Sequence, residues 1–538
     1  MSDLELTYQL AELPSAQHRA GLAGLVLMVE YLHRQSGFEQ REDAIVTFTE
    51  LDEFGATLRL NLEGLKALFD LTYKAFSQER STEQKIKKYD RVEDVEIKDA
   101  KGKPKQVKRY YYQVTVPQGA FLPDYDPSSE DSDSGLWVKL WRDMLFSIVR
   151  GVPATRNPFN NRLNGAYSKD TEDVWKELKH PEKSTGQSGN YYLGAMAFNS
   201  ESVPIKDTVR YQFLLHFWSF VTQVYRPATF NKDGRREPTG YALAIPDVAN
   251  LIDFCDEFPN VLKSRESKKW GHLPLEAIVD LPEEGALDLL RLLQSNIARK
   301  IGSQTLEDLV LGVELIHAEK VGNSGVKIRS ISQVEPVNRQ VDLYTQIKKA
   351  YWCPWFRKQR LLNLLREKPW WHDFDALLSR IPRKWLEDPY FSHDARELFH
   401  VEGEVNVKAD VRSTAQIIYQ VCQRYVLSKL ESKYKLKWDE CKGNPKKEND
   451  YNDKKYKIAN EAFLAVRSRT ESQAFVDYFV STLNPYIRNK EEFVDFAEAL
   501  FDKNKVVEIR SLTLLALSSQ FPSTNKKSEA NSSNVDAA

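Results

Sequence analysis

Cysteine, methionine and long apolar runs are scarce in this sequence of 538 residues, which contains 4 Cys and 4 Met. The cysteines stand far apart without a CxxC pair, a pattern typical of a reducing cytosol and of a protein without a zinc site. No run of about 18 apolar residues exists, which excludes a transmembrane helix and membrane binding through one. Residues 21–29 are apolar but lack a basic leader, so we expect no signal peptide and a cytoplasmic protein.

Motifs of known catalytic chemistry are also missing. We find no GxSxG elbow, HExxH helix, Walker A loop or dinucleotide fingerprint. His372-Asp373 and His393-Asp394 are the dipeptide of HD phosphohydrolases, but that metal site needs a further His and Asp on neighbouring helices. His317, the remote candidate, lies in a predicted hairpin, which is the wrong context. We therefore expect no enzyme, no metal and no cofactor, with a metal-dependent HD-type phosphohydrolase as the alternative.

The composition that is present predicts a globular protein with segregated charge. Hydrophobic residues make up 41% and charged residues 28% of the chain, close to the average for soluble proteins. The 76 Lys and Arg nearly balance the 77 Asp and Glu. Residues 1–60 hold ten acids and four bases, whereas residues 343–369 hold seven bases and one acid. The net charge therefore hides basic segments.

The first 120 residues predict alternating strands and helices. Leu4, Leu6 and Tyr8 alternate as in a half-buried strand, and Ser15 is placed to cap a helix that ends near Arg34. Further strands are predicted at 44–50 and 56–60, a helix after Asn61, and a hairpin from strands 86–97 and 105–116. This order is that of a ferredoxin-like unit, so we expect an α+β fold with such a unit as a candidate.

We predict five regions along the chain. The mixed N-terminal region 1–120 is followed by an acidic, solvated loop at 121–135, which contains five acids and no base. Residues 136–337 read as a second mixed α/β region, with irregular loops at 151–203 and a hairpin at 308–333. Strand patterns then vanish, and helical periods predict an all-helical bundle at 338–520. The polar tail 521–538 is expected to be disordered.

Basic residues on the predicted helices and turns are candidates for binding a nucleic-acid backbone. A stripe of one charge sign is the pattern expected for tracking phosphates, although a solvated helix face is the alternative. The interleaved aromatics are more often core residues than base-stacking platforms. The candidate phosphate contacts are Lys183, Arg226, Arg235, Arg236, Lys348, Lys349, Arg357, Lys358, Arg360, Arg424, Lys429 and Lys433.

A second candidate site lies at residues 150–165, where three arginines and four asparagines stand among Gly and Pro. Arginine contacts phosphate or guanine in pairs of hydrogen bonds, and asparagine reads adenine or a minor-groove edge. Residues 183–190 are similar in kind but match no P-loop. A surface loop with structural Asx turns is the alternative for these residues.

The segments Leu-Trp-Val-Lys-Leu-Trp-Arg-Asp-Met-Leu at 136–145 and Arg-Gly-Val-Pro-Ala-Thr-Arg-Asn-Pro-Phe at 150–159 resemble the large subunit of type I CRISPR effectors, of the MYXAN-type or I-B-like family. The order of a mixed α/β part and a helical bundle is similar to that family as well. The resemblance implies a non-catalytic subunit of Cascade, the RNA-guided DNA surveillance complex used in antiviral defence.

The resemblance also implies the division of labour within the chain. The N-terminal part would recognise the protospacer-adjacent motif and the 5′ handle of the guide, and the bundle would hold the displaced strand of the R-loop. The residues expected at the motif or handle are Arg156, Asn157, Asn160, Asn161, Arg162, Gln187 and Asn190.

The partners implied are guide CRISPR RNA, target double-stranded DNA and the backbone, handle-binding and small subunits. A recruited helicase-nuclease or transposition proteins are further implied partners, because defence and transposon-associated complexes are not distinguished by the sequence. A nucleic-acid-binding scaffold unrelated to CRISPR stays open as another alternative.

Overall fold

The structure is a computed structural model that describes residues 3–38, 41, 43–98, 104–128, 135–149, 156–163, 165, 167–186, 192–193, 206–230, 236–297, 305–322, 325–386, 389–404, 413–487 and 490–521. Contacts divide the chain into two units, Met1–Val341 and Asp342–Ala538. Strands occur in the first unit, and every regular element described in the second is helical. The predicted α+β fold class is therefore confirmed.

The chain begins with a three-stranded antiparallel sheet and two helices. Its elements are β1 (Leu4–Gln9), α1 (Ala16–His33), β2 (Val46–Leu51), β3 (Gly55–Leu60) and α2 (Leu62–Thr72), with strand order β1-β3-β2. Ser15 and Asn61 cap the two helices with their side chains, as the sequence predicts. Helix α1 is buried along almost its whole length.

The candidate ferredoxin-like unit is incomplete, because the next strand does not join this sheet. Strands β4 (Ala75–Thr82), β5 (Arg91–Lys98) and β6 (Pro104–Pro117) form a separate antiparallel sheet in the order β4-β6-β5. All eight residues of β4 find register partners on the long strand β6. The position beside β1 is instead occupied by Arg210, which donates to the main-chain oxygen of Thr7.

Short elements connect this region to the central sheet. They are α3 (Leu136–Ser147), α4 (Arg156–Asn161), α5 (Lys169–Leu178), β7 (Ser184–Gly186), β8 (Lys206–Thr208), α6 (Val209–Leu214) and α7 (Trp218–Val221). The predicted solvated loop at 121–135 is wrong at its start, because Leu122 and Asp126 are buried. Asp126 accepts hydrogen bonds from the main chain of Ser128 and Val138 and thereby fixes the first turn of α3.

A larger sheet forms the core of the first unit. Its elements and the helices around it are β9 (Gln223–Phe230), β10 (Arg236–Pro238), β11 (Tyr241–Val248), α8 (Leu251–Lys263), β12 (Lys269–Trp270), β13 (Leu273–Pro274), β14 (Ile278–Val279), α9 (Glu284–Ile297), α10 (Leu306–Leu309), β15 (Val310–Val321) and β16 (Gly325–Val334). The strand order is β10-β9-β11-β15-β16, with β14 parallel to β9. The predicted hairpin at 308–333 is confirmed as β15 and β16.

The second unit consists of helices in its described part. They are α11 (Asn338–Ala350), which begins in the first unit, α12 (Pro354–Leu365), α13 (Phe374–Arg380), α14 (Arg383–Leu386), α15 (Pro389–Glu404), α16 (Thr414–Lys429), α17 (Trp438–Cys441), α18 (Pro445–Arg467), α19 (Ser472–Tyr478), α20 (Lys490–Phe501) and α21 (Val506–Ser518). Helix α21 is buried from Ile509 to its end and packs against α16 and α18. Beyond Phe521 the predicted tail lies outside the described residues.

Among the described residues, no helix combines the length and the apolar composition needed to cross a membrane.

Candidate nucleic-acid interface

Helix α4 presents asparagines to solvent. Asn157, Asn160 and Asn161 are exposed, and their spacing of three and four residues places them on one side of the helix. The opposite side carries Phe159, which is buried with its ring 5.2 Å from Tyr73. The helix is therefore held by one aromatic side chain while the amides stay accessible.

Arg162 follows this helix and is a structural residue, which corrects its prediction as a motif or handle contact. Its side chain is only 2% exposed. Nε donates to Asp70 at 3.1 Å, and the two Nη atoms donate to Asp170 at 2.7 and 2.8 Å. Nη1 also reaches the main-chain oxygen of Pro158 at 3.1 Å, inside α4 itself. A guanidinium that is occupied in this way has no donor directed at an external base.

We call Arg162, with its carboxylate partners Asp70 and Asp170, the anchor, and its charge state agrees with this structural role. Burial acts to lower the pKa of Arg162, but the hydrogen bonds and charges of Asp170 and Asp70 outweigh it and raise the pKa above its usual value. Arg162 therefore stays charged and ties α2 and α5 to the end of α4.

A buried aromatic pair lies under the anchor. The Arg162 guanidinium is 5.4 Å from the ring centre of Tyr73, whose hydroxyl forms a hydrogen bond with Nδ1 of His216. Burial lowers the pKa of His216 to about 3, and the charge of Arg162 acts in the same direction. His216 is therefore neutral near pH 7, and the layer below the anchor carries no second positive charge.

A cleft of about 530 Å³ opens beside the anchor. It is lined by the end of α1, one side of α2, and Arg162, Leu163 and Gly165, with apolar walls from Leu32 and Leu71. Arg41 and Lys74 contribute positive charge, and both side chains are exposed. Arg41 lies 3.7 Å from Asp70, so it is partly neutralised. The cleft combines apolar walls with cations, a lining that suits a nucleotide.

Several sequence-predicted residues of the first unit are tied to protein groups or lie outside the description. Arg226 is half-buried and stacks 4.2 Å from the ring centre of Tyr241. Arg236 pairs with the buried carboxylate of Asp280, which corrects its prediction as a phosphate contact. Lys183 is exposed. The residues Gln187, Asn190 and Arg235, and the side chain of Arg156, lie outside the described residues.

The basic side chains of α11 and α12 differ in exposure, because they lie on different faces of these helices. Lys349 is exposed, and Lys348, Arg357 and Lys358 are half-buried. Arg360 is only 5% exposed, because it lies on the buried face of α12 with Phe356 and Asn363 at spacings of four and three residues. Its prediction as a phosphate contact is therefore corrected.

Helix α16 and the turn that follows it keep their lysines at the surface. Lys429 and Lys433 are exposed, and the nearest carboxylate oxygen of Glu461 lies 4.0 Å from Lys433. Arg424 is half-buried and donates to the side-chain oxygen of Gln420 at 3.2 Å. Exposed pairs of this kind are weak and do not prevent a lysine from contacting phosphate.

The His-Asp dipeptides do not converge on a metal. Asp394 is buried and accepts hydrogen bonds from the main-chain N–H groups of Trp352 and Cys353, ahead of α12. Nδ1 of His372 lies 3.2 Å from a carboxylate oxygen of its sequence neighbour Asp373. Within the described ranges, no group of three or more His, Cys, Asp and Glu side chains is arranged to hold a metal ion. The geometry thus gives the HD-type phosphohydrolase alternative no support.

Sequence reasoning missed the side chains that hold α4 in place and those that line the cleft beside it. Asp70 is 92 positions from Arg162, so no local pattern joins them. Helix α5 lies within the predicted loops at 151–203, although its buried Thr171, Trp175 and Leu178 follow a helical spacing that could have predicted it. The cations of the cleft, Arg41 and Lys74, stand alone in the sequence and gave no signal.

Comparison with known proteins identifies two family models along the chain. Residues 45–303 match the model described as the Type I-B CRISPR Cas8b N-terminal domain, and residues 310–520 match the Type I-B CRISPR Cas8b C-terminal domain. The two matches together cover most of the chain. No curated protein matches this sequence. The resemblance noted at residues 136–165 is confirmed, and a scaffold unrelated to CRISPR is excluded.

Proposed function

Because this chain belongs to the Type I-B CRISPR Cas8b family and is thus a large subunit of a type I-B CRISPR complex, we propose that it reads the protospacer-adjacent motif and the guide 5′ handle without catalysing a reaction. In this proposal the first unit makes those contacts, and the helical unit holds the displaced non-target strand. Its partners are guide RNA, target DNA and the other Cascade subunits, and it needs no cofactor.

The observation that carries the proposal is the arrangement of α4. Asn157, Asn160 and Asn161 stand exposed on one side of the helix, which is fixed beneath by Phe159 and by the anchor at Arg162. A side-chain amide offers a donor and an acceptor side by side, which matches the edge of adenine. Holding such amides on a fixed helix lowers the entropy lost when they contact a base.

The charges of the second unit support the other half of the proposal. Lys349, Lys429 and Lys433 are exposed, and the segment 343–369 carries seven bases against one acid. Cations that neutralise phosphates release counterions, which favours binding regardless of base sequence. This suits a strand whose sequence differs for every target.

The motif-reading role is tested by a double variant, Asn160→Ala with Asn161→Ala, in the assembled complex. Binding to a DNA library randomised beside the target is measured by sequencing the bound fraction. We expect the preference for the favoured motif to fall by about 1–3 kcal/mol for each lost pair of base contacts. Unchanged preference and affinity would reject the assignment of α4.

Asn504→Ala is the matched control, because Asn504 is also an exposed asparagine but lies in the helical unit. Its motif preference should equal that of the wild type. Binding of the guide RNA is measured in parallel, so that loss of the 5′ handle contact is separated from loss of motif recognition.

A further inference from the structure

Two large aromatic side chains stand at the surface of the second unit and stack on each other. Trp352 is 66% exposed and Tyr390 is 56% exposed. Their ring centres are 6.1 Å apart, and the ring planes differ by only 11°. The rings are therefore nearly parallel, and both keep much of their surface open to solvent.

The core of the unit does not explain why Trp352 is aromatic. Its neighbours in the sequence, Tyr344, Tyr351 and Phe356, are buried and supply the apolar contacts of this region. Trp352 follows directly after the buried Tyr351 and points away from that core, as its exposure shows. An exposed ring of this size brings little to folding and is open to a flat partner that stacks on it.

The position of Trp352 is nevertheless fixed. Its main-chain N–H and that of Cys353 donate to Oδ2 of Asp394, which is buried on α15. Tyr390 lies one helical turn earlier on the same helix, so the hydrogen bonds and the ring stack join the same two segments. A ring surface held in this way loses little freedom when a second flat group stacks on it.

The segment that holds Trp352 is basic. Trp352 lies two positions after the end of α11, whose last turn carries Lys348 and Lys349, and Lys358 follows on α12. The acids nearest to Trp352 in the sequence are Asp342 and Glu367. Glu387 and Asp388 precede Tyr390, and Asp394 is buried. Aromatic faces flanked by lysines are the combination by which proteins bind single strands without reading their sequence.

We infer that Trp352 and Tyr390 form a base-stacking platform for single-stranded DNA, on which an unpaired nucleobase lies while the neighbouring lysines contact its phosphates. This inference rests on the proposed role of the helical unit in holding the displaced strand. The platform adds a contact with the nucleobases, whereas the lysines contact only the phosphates.

The test compares two fluorescent single strands with the purified full-length chain, an oligodeoxythymidine and an abasic strand of equal length and charge. Trp352→Ala should weaken binding of the base-containing strand by about tenfold, because the stacking surface is lost. It should leave binding of the abasic strand unchanged. Trp352→Phe keeps an aromatic face and should retain most of the affinity.

Phe501→Ala is the matched control, since Phe501 is 67% exposed in the same unit. It should change binding of neither strand. Thermal unfolding of each variant shows whether the fold is kept, which we expect because the Trp352 side chain is mostly outside the core. Equal losses for the two strands would mean that Trp352 acts on the fold or on the phosphates, and would overturn the platform.

The platform and the proposed function fail in different ways. If Trp352→Ala has no effect on a strand whose binding weakens with salt and with Lys349→Gln, only the platform is wrong. If the same variant instead loses other Cascade subunits, the pair is a protein contact and the platform is again wrong. If the wild type binds neither strand, both ideas fail.

Discussion

The region around α4 and the region of α11 and α12 look alike in sequence, since each gathers basic residues within a short segment. In the structure they differ. Arg162 is buried between Asp70 and Asp170, whereas Lys349 is exposed on a stretch with almost no acid. In the first region the positive charge of Arg162 holds a helix whose exposed side chains are neutral amides. In the second region positively charged side chains are themselves exposed. The number of basic residues in a segment therefore does not distinguish a buried structural arginine from an exposed basic side chain.

The largest expected effect comes from removing the anchor. Arg162→Ala leaves two carboxylates, Asp70 and Asp170, facing each other without the guanidinium between them. Loss of one partner of a buried ionic network costs about 3–5 kcal/mol in the free energy of unfolding. Urea unfolding followed by circular dichroism measures this change.

Lys176→Ala is the control for the anchor, because Lys176 forms an exposed pair with Asp173. That variant should lie within about 0.5 kcal/mol of the wild type. If Arg162→Ala is equally mild while motif binding is lost, Arg162 is a contact and the two regions work alike.

The next effect concerns His216 below the anchor. Its folded pKa of about 3 lies below the unfolded value of 6.5, so the unfolded chain takes up the proton first. The stabilisation from neutral His216 is full above pH 6.5 and is lost as the pH falls toward 3. Between pH 7 and pH 5 the wild type should lose about 2 kcal/mol through this group.

His216→Gln cannot take up that proton but keeps a polar partner for Tyr73. The variant should be less stable than the wild type at pH 7, and the gap between them should narrow by about 2 kcal/mol at pH 5. Urea unfolding at the two pH values measures the gap. A constant gap would show that His216 is solvated, and that the layer under the anchor is open to water.

Sequence reasoning predicted the helices of the second region but not those of the first, because α4 and α5 lie within the predicted loops at 151–203. The two hairpins and the helix caps at Ser15 and Asn61 could be predicted because alternation, turn residues and caps are local. Arg360 could have been placed on the buried face of α12 by counting from Phe356. The partner of Arg162 could not, since Asp70 comes from a distant helix and only folding brings the two together.

Removing charge from the second region should have a smaller effect, visible mainly at low salt. The double variant Lys349→Gln with Lys358→Gln removes two cations from the segment 343–369. If both contact phosphates, the slope of log affinity against log salt for single-stranded DNA should fall by about 1.4. Fluorescence anisotropy over a salt series gives the slope.

Lys446→Gln with Lys447→Gln is the matched control, because these two exposed lysines lie in the same unit on α18, near acids. Their loss should change the slope less. Equal slopes for the two double variants would mean that DNA senses only the net charge of the unit, and the contrast between the two regions would weaken.

The smallest effect is expected at the cleft beside the anchor, where the first region has an exposed cation, Lys74. Lys74 is exposed at the cleft, whereas Arg41 shares Asp70 with Arg162, so Lys74 carries the less neutralised charge. Its main-chain oxygen accepts a hydrogen bond from the main-chain N–H of Gln118, which Lys74→Gln does not disturb.

The variant Lys74→Gln should weaken binding of the guide handle RNA by about twofold to fivefold, as one exposed phosphate contact does. Filter binding measures the affinity for this RNA, with Lys176→Gln as the control variant. A loss as large as that from Asn160→Ala with Asn161→Ala would mean that the cleft, rather than α4, is the main contact, and that the first region also works by charge.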